Sequence, residues 1–271
     1  MYQKVWKECH GAICSINFYD TNDILTNSIT GFKSGNYLIT DEFVYKVSRI
    51  KRVTLHFYKP DGYSIKSRLE LTYSAFSKQI IRGIEDDDPG FAIVDIDYPE
   101  FSDIPSLSMS GSSEIKIGTP VALIGYQMEQ SNIALKSGIL SSYFKSNSHR
   151  YLQYDASVKL GNSGSPLIDA STCEVIGLSG NRLARLTRSH EQLMNIIKEN
   201  LRALKEAENK ISFEGIDPVQ VLIANQNQIK HMARENYLNA NIKMGYAIEI
   251  SQIADYFYNI QSTPDLRKKT I

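Results

Sequence analysis

One stretch of the chain decides its interpretation, Gly161-Asn162-Ser163-Gly164-Ser165-Pro166-Leu167. Ser163 stands between glycines, which allow a tight backbone turn. A serine nucleophile requires such a loop, with backbone amides converging on the oxyanion that develops in the reaction. Pro166 and Leu167 then lead into a predicted strand. Taken alone, the heptapeptide also fits an ordinary surface turn, so the choice between the two interpretations depends on the rest of the sequence.

The segments before and after this loop read as β structure. Between residue 1 and about 182, short strand-like runs follow one another, separated by turn residues such as Pro60-Asp61-Gly62. These runs lie at 12–17, 37–40, 53–58, 92–96, 121–124 and 175–178. Many short strands at this spacing predict a sandwich or barrels.

The pattern changes to helical spacing between about 186 and 241. A capping box formed by Ser189 and Gln192 predicts the start of a first helix. Its apolar stripe is Leu193, Ile197, Leu201 and Leu204. Asp217-Pro218, a capping residue followed by proline, predicts the start of a second helix that ends near 239. Its stripe is Val219, Ile223, Ile229 and Ala233. We expect an inserted αα-hairpin, followed by a strand at 245–248 and a short helix at 251–260.

Composition restricts the function classes. Thirty Lys and Arg balance thirty Asp and Glu, so no net charge exists to attract nucleic acid or an anionic membrane. The N-terminus lacks the apolar core of a signal peptide, and no later segment has membrane-spanning length. We therefore expect a cytoplasmic protein. Three cysteines at positions 9, 14 and 173 are expected to be free thiols, and no metal or cofactor is implied.

The 161–167 loop resembles the nucleophile loop of trypsin-like serine proteases, most of all the bacterial high-temperature-requirement (HtrA-like) proteases. The likeness extends to 117–126, 137–141, 152–156, 174–178 and 245–248. It implies a mainly β fold, a trypsin-like double β-barrel with a short C-terminal helix, into which the αα-hairpin predicted from helical spacing is inserted. The implied parts are a first barrel at 1–105, a second at 106–182 plus 242–262, a hairpin insertion at 183–241 and a tail at 263–271.

Two positions of the implied catalytic triad depart from the family. In the segment that resembles the family's Thr-x-x-His-Val pattern, Phe43 takes the place of the histidine, and a phenyl ring accepts no proton. Gly90 takes the place of the aspartate before the strand at 91–94. None of the five histidines stands at the expected position. Lys159, Asp41 and Glu42 remain as minority candidates for a base at Ser163.

The resemblance also implies a peptide-binding cleft. Its oxyanion hole would be formed by Gly161, Asn162 and Ser163. A peptide would add as a strand along Ser179, Gly180 and Asn181, with Ser157 at the pocket floor. Ser165 replaces the family's usual glycine, and its hydroxymethyl group is expected close to the loop, where it could constrict the cleft.

We interpret the chain as a catalytically inactive pseudoprotease that serves as a protein- or peptide-binding, scaffolding subunit of a larger assembly. The hairpin at 186–241 would supply a partner surface or merely decorate its own barrel. The alternative is an atypical serine endopeptidase whose base is not histidine or comes from a partner. A weaker, fold-level association is a regulatory role in a bacterial defence system. The sequence leaves the oligomeric state open.

Overall fold

The computed structural model describes residues 1–82, 90–111, 115–146, 149–180, 184–208, 210, 217–238 and 244–262. For 82, 146, 149, 184–189, 191, 237–238 and 259–262, only the backbone is described. The predicted cleft residue Asn181 and the tail at 263–271 lie outside these ranges.

The first half of the chain forms one antiparallel sheet of seven strands. The strands are β1 (Ile13–Tyr19), β2 (Leu25–Ser34), β3 (Tyr37–Asp41), β4 (Arg52–Tyr58), β5 (Ile65–Thr72), β6 (Ile80–Arg82) and β7 (Phe91–Asp95). Their order in the sheet is β5-β4-β1-β2-β3-β7-β6. The sheet curls around an apolar core that includes Phe18, Leu38, Phe57 and Phe76, and it leaves β5 and β6 as edges.

The second half closes into a six-stranded barrel. Its strands are β8 (Pro120–Gln127), β9 (Asn132–Ser146), β10 (His149–Tyr154), β11 (Pro166–Asp169), β12 (Val175–Ser179) and β13 (Gly245–Glu249). The order is β10-β13-β12-β11-β8-β9, and β9 pairs with β10 to close the ring. The predicted mainly β architecture of two β units is therefore confirmed, with the first unit curled but open.

Six α-helices accompany the sheets within the described residues. They are α1 (Tyr2–Cys9), α2 (Phe43–Lys46), α3 (Tyr73–Ser77), α4 (Ala184–Ala207), α5 (Pro218–Leu238) and α6 (Ile250–Ser262). The short C-terminal helix is confirmed as α6, whereas α1 was not predicted. Of the helices in the described ranges, none has the length and apolar character to cross a membrane.

Residues 182–241 form a compact unit of their own, which contains α4 and α5. The predicted cap of α5 is confirmed, because Asp217 Oδ1 accepts a hydrogen bond from the backbone of Val219 at 2.8 Å. The predicted start of α4 at Ser189 is wrong. The helix begins at Ala184, because strong helix formers extend it beyond the capping box. Ile229 does not belong to a buried stripe either, since it is exposed.

A second apolar core joins the open sheet to the barrel. Phe32, Ile39 and Ile93 of the open sheet pack in one cluster with Ile124 and Ile168 of the barrel. Helices α1 and α6 add Val5, Cys9, Ile253 and Phe257 to this cluster. The shared core fixes β2 and β3 against the barrel, which is where the 161–167 loop lies.

Candidate functional site

The 161–167 loop is fixed by backbone hydrogen bonds on both sides of Ser163. The carbonyl of Ser163 accepts from the N–H of Thr30 in β2 at 2.7 Å. The N–H of Gly164 donates to the carbonyl of Ser179 in β12, also at 2.7 Å. Thr30 Oγ1 donates to the carbonyl of Gly161 at 2.7 Å. The loop is therefore held between the open sheet and the barrel.

Thr30 is a fully buried residue that the sequence reasoning missed. Besides its bond to Gly161, its Oγ1 accepts from the N–H of Tyr126 at 2.9 Å. Its carbonyl accepts from Thr40 Oγ1 at 2.6 Å. A buried hydroxyl needs partners, but β2 carries five other polar residues, so nothing in the sequence singled out Thr30.

Two glycines of the loop are required by conformation and by space. Gly161 has φ +98°, and a Cβ there would lie 2.7 Å from the carbonyl oxygen of Tyr126. Gly164 has φ +80°, and its Cβ would lie 2.0 Å from the carbonyl oxygen of Thr30. Both values lie in the left-handed region, which side chains disfavour. The glycines thus let the loop approach the neighbouring backbones closely.

The predicted oxyanion-hole residues differ in whether their backbone N–H groups already have a hydrogen-bond acceptor. The N–H of Asn162 donates to the carbonyl of Lys159 at 3.0 Å and closes a turn whose third residue is Gly161. A positive φ at that place is what a type II turn requires. Within the described residues, the N–H groups of Gly161 and Ser163 donate to no protein acceptor. Two amides on this loop, not three, are therefore available to an oxyanion or a carbonyl.

The side chain of Asn162 fixes the loop from the barrel side. It is fully buried, and its Nδ2 donates to the carbonyl of Tyr126 at 2.8 Å. Its Oδ1 accepts from the N–H of Lys159 at 2.8 Å and from Nζ of Lys136 in β9 at 2.5 Å. Burial, together with the charge of Lys159, lowers the pKa of Lys136 to about 8. Lys136 was not among the predicted site residues.

The hydroxyl of Ser163 has no hydrogen-bond partner among the described residues, although it is buried. Lys159, one predicted base, contributes only backbone contacts to the described loop. Asp41, another of the three predicted bases, has a buried carboxylate whose Oδ1 accepts from the N–H of Phe43 at 2.9 Å. No described group is thus hydrogen-bonded to Ser163 Oγ as a general base.

The side chain of Ser165 does not narrow an exposed cleft, contrary to the expectation from sequence. The residue is fully buried, and a Cβ on Gly125 of β8 would lie 2.0 Å from Ser165 Oγ. The absence of a side chain on Gly125 provides the space for the hydroxymethyl group inside the barrel.

Phe43, at the implied histidine position, is the first residue of α2. Its ring packs edge-on against Phe18 with 5.9 Å between ring centroids, and Phe18 belongs to the core of the open sheet. The ring therefore serves packing and offers no atom that could accept the proton of Ser163.

The space beside Gly90, at the implied aspartate position, is filled by Glu42. A Cβ on Gly90 would lie 2.2 Å from Glu42 Oε2, 2.4 Å from Glu42 Cβ and 2.7 Å from the hydroxyl of Tyr45. Glu42 Oε1 pairs with Lys46 Nζ at 2.7 Å, and Oε2 is buried without a hydrogen-bond partner among the described residues. A carboxylate from position 42 thus stands where the family's aspartate is implied.

The predicted peptide-binding edge is only partly available. The N–H of Ser179 donates to the carbonyl of Ser165 at 2.8 Å, and its carbonyl accepts from Gly164. Its buried Oγ bonds with the hydroxyl of Tyr154 at 2.7 Å. The N–H, carbonyl and hydroxyl of Ser179 thus each already have a partner within the chain. The N–H of Gly180 also has a partner within the chain, because it donates to the carbonyl of Tyr246 at 3.2 Å.

The remaining predicted residues lie as follows. Ser157 is half-buried in the segment between β10 and the loop. His10 Nδ1 bonds with the carbonyl of Trp6 at 2.6 Å, and His56 lies in β4, where burial lowers its pKa. His190 and His231 belong to the helical unit, and His149 is described by its backbone alone. Among the described residues, no three His, Cys, Asp or Glu side chains form a metal site.

Residues 31–178, more than half of the chain, match the family model of the trypsin-like peptidase domain. The chain belongs to this family, and the predicted resemblance is confirmed. A comparison with curated protein sequences finds no match.

Solved structures of HtrA-type proteases share the fold. A variant of the HtrA-type protease AlgW with a tripeptide matches at TM-score 0.59 and 15% identity, over 96% of this chain and 63% of its own. A second structure of AlgW with tripeptide has TM-score 0.50 and 19% identity, with coverages of 66% and 54%. Deg5 has TM-score 0.51 and 17% identity, with coverages of 67% and 84%. The chain spans less than two thirds of the AlgW chains, and these likenesses show the fold alone.

Proposed function

We propose that the chain is a pseudoprotease, a peptide- or protein-binding subunit in which Ser163 does not act as a nucleophile. The observation that carries the proposal is the unpartnered hydroxyl of Ser163. A serine hydroxyl needs a base to remove its proton, and Phe43 at the implied base position packs against Phe18 instead.

The 161–167 loop and the chain after β12 retain backbone groups that could bind a peptide. The free N–H groups of Gly161 and Ser163 can donate hydrogen bonds to a carbonyl or carboxylate oxygen of a bound peptide, and this binding requires no chemical reaction. The carbonyl of Gly180 and the chain after it would take a peptide as an added strand, in which main-chain hydrogen bonds supply affinity. The tripeptide with AlgW supports a short extended peptide as the ligand class.

The helical unit is the proposed partner surface of the assembly. Several large apolar side chains of α4 and α5 are exposed, namely Leu193, Ile196, Val221, Leu222, Ile229 and Met232. A monomeric protein rarely exposes apolar side chains in such number on two adjacent helices. The proposal includes a cytoplasmic location, which the three free thiols support.

Covalent labelling by a fluorophosphonate probe tests the loss of nucleophilicity. Intact-mass detection on the folded full chain is expected to show no labelling, with active trypsin as the positive control. Labelling that is lost in Ser163→Ala but kept in Ser165→Ala would overturn the proposal.

Partner binding is tested separately on the helical unit. Leu222→Gln and Ile229→Gln are expected to abolish co-purification of a partner with the full chain, whereas the exposed neighbour Lys230→Gln retains it. Equal recovery with all three variants would contradict a hairpin interface.

One observation favours a second candidate, an atypical serine hydrolase. Lys136 combines burial with a pKa lowered to about 8 and contacts Asn162, the residue before Ser163. A lysine with a lowered pKa can act as a general base. Here Nζ donates to Asn162 Oδ1 and not to Ser163, so we rank it second. Probe labelling that is lost in Lys136→Met as well as in Ser163→Ala would establish it.

A further inference from the structure

Two of the three cysteines meet although they are 164 residues apart in sequence. Cys9 is the last residue of α1 and is 1% exposed, whereas Cys173 lies half-buried in the turn between β11 and β12. The thiol of Cys9 donates to the carbonyl of Cys173 at 3.8 Å. Both are in the reduced state.

The backbone at Cys173 is unusual for a residue with a side chain. Its φ is +66°, in the left-handed region that glycine and asparagine prefer. The turn is closed by the N–H of Cys173, which donates to the carbonyl of Asp169 at 2.9 Å. A glycine would fit this turn without strain, so the turn itself gives no reason for a cysteine. The contact with Cys9 provides a reason for a cysteine at position 173.

The helix that carries Cys9 is anchored at several points. Val5 is fully buried in the shared core, and Trp6 Nε1 donates to the carbonyl of Pro60 at 2.9 Å. The hydroxyl of Tyr2 donates to the carbonyl of Gly138 at 3.4 Å. These contacts hold Cys9 against the β11–β12 turn that carries Cys173.

We propose that Cys9 and Cys173 are a redox modification site at which an intrachain disulfide links α1 to the β11–β12 turn. The oxidant is a low-molecular-weight disulfide. The half-buried Cys173 thiolate attacks one sulfur of this disulfide, forms a mixed disulfide and releases one small thiol. The Cys9 thiolate then attacks the Cys173 sulfur and releases the second small thiol. Two protein thiols lose two electrons and two protons, and the small disulfide is reduced to two thiols.

The same surroundings make this exchange slow at neutral pH. Burial is the main cause that raises the pKa of Cys9 to about 12, and the neighbouring Cys173 and Glu8 add to it. Burial and Glu8 also raise the pKa of Cys173, whereas Lys4 lowers it. Because the thiolate is the reacting form, the rate of exchange rises with pH. The site acts as a slowly formed staple and not as a rapid sensor.

Oxidised glutathione added to the folded full chain tests the proposal. Intact mass is expected to show the loss of two hydrogens, free thiols fall from three to one, and peptide mapping joins Cys9 to Cys173. The oxidised chain is expected to unfold at a higher temperature, because the crosslink restricts the unfolded chain. Cys14→Ser is the matched control and forms the same link, since Cys14 is buried elsewhere and bonds with the carbonyl of Ser15.

Cys9→Ser and Cys173→Ser are each expected to prevent the loss of two hydrogens. If the buried hydroxyl introduced by Cys9→Ser disturbs the fold, Cys9→Ala replaces that variant. Circular dichroism checks that each variant is folded. Three free thiols that persist in the folded wild type at high pH would overturn the proposal. So would a product limited to mixed disulfides with glutathione, or a link that involves Cys14.

Discussion

Glu42 occupies the space beside Gly90, where a Cβ would lie 2.2 Å from its Oε2. The two residues also share a backbone contact, because the N–H of Glu42 donates to the carbonyl of Gly90 at 3.2 Å. Glu42 in this position therefore leaves no room for a side chain at position 90.

This overlap predicts that Gly90→Ala lowers the free energy of unfolding by about 1–3 kcal/mol, the usual cost of overpacking. Glu42→Ala removes the clashing side chain, so we expect the double variant to be less destabilised than the sum of the single variants. Urea denaturation of the four proteins gives the coupling energy, expected at about 0.5–3 kcal/mol. Strictly additive effects would mean that Glu42 does not fill this space.

Gly164→Ala is expected to destabilise the folded chain severely. It combines a left-handed φ of +80° with a Cβ 2.0 Å from the carbonyl oxygen of Thr30. Left-handed strain and overpacking together predict a loss of about 2–5 kcal/mol in the free energy of unfolding. Gly111→Ala is the matched control, because nothing lies within 4 Å of its Cβ. Similar unfolding midpoints for the two variants would contradict the close approach at Gly164.

Lys136 predicts a pH dependence of stability with a definite sign. Its pKa is about 8 in the folded chain, against 10.5 for a free lysine side chain. Between these values the unfolded state binds more protons than the folded state, so this group makes stability rise with pH across that window. The rise should be absent in Lys136→Met and present in Lys116→Met, which replaces an exposed lysine. Denaturation at several pH values measures it, and parallel slopes for wild type and Lys136→Met would refute it.

The buried pair of Tyr154 and Ser179 predicts a fourth effect on stability. Tyr154→Phe leaves Ser179 Oγ without its 2.7 Å partner, at an expected cost of about 1–3 kcal/mol. Adding Ser179→Ala removes the orphaned group and should recover most of that loss. Thermal and urea unfolding of the single and double variants measure this, and no recovery in the double variant would contradict the pairing.

The parts of the site that sequence could predict are those governed by local chemistry. The glycines around Ser163 and the Asp217-Pro218 cap follow from conformational preferences of neighbouring residues, and both are found where expected. The start of α4 was misplaced because helix propensity before Ser189 outweighed a local capping signal.

Contacts between distant residues could not be predicted. Thr30 reaches the loop from 131 residues away, and Lys136 lies 26 residues before the amide that it contacts. The paired state of Ser179 depends on the register of β12 against the loop, which one sequence does not reveal. The fit between Glu42 and Gly90 likewise needs the pairing of β3 with β7.

The open first sheet has a further consequence for colloidal behaviour. Its edge strand β5 alternates exposed and half-buried residues and places charges at Lys66, Arg68 and Glu70. Lys66 Nζ donates to the carbonyl of Asp103 at 2.8 Å, and Ser67 Oγ donates to that of Glu100. Charged side chains and a covering segment are how native proteins discourage strand-to-strand aggregation. The sheet can thus remain open without recruiting a second copy along this edge.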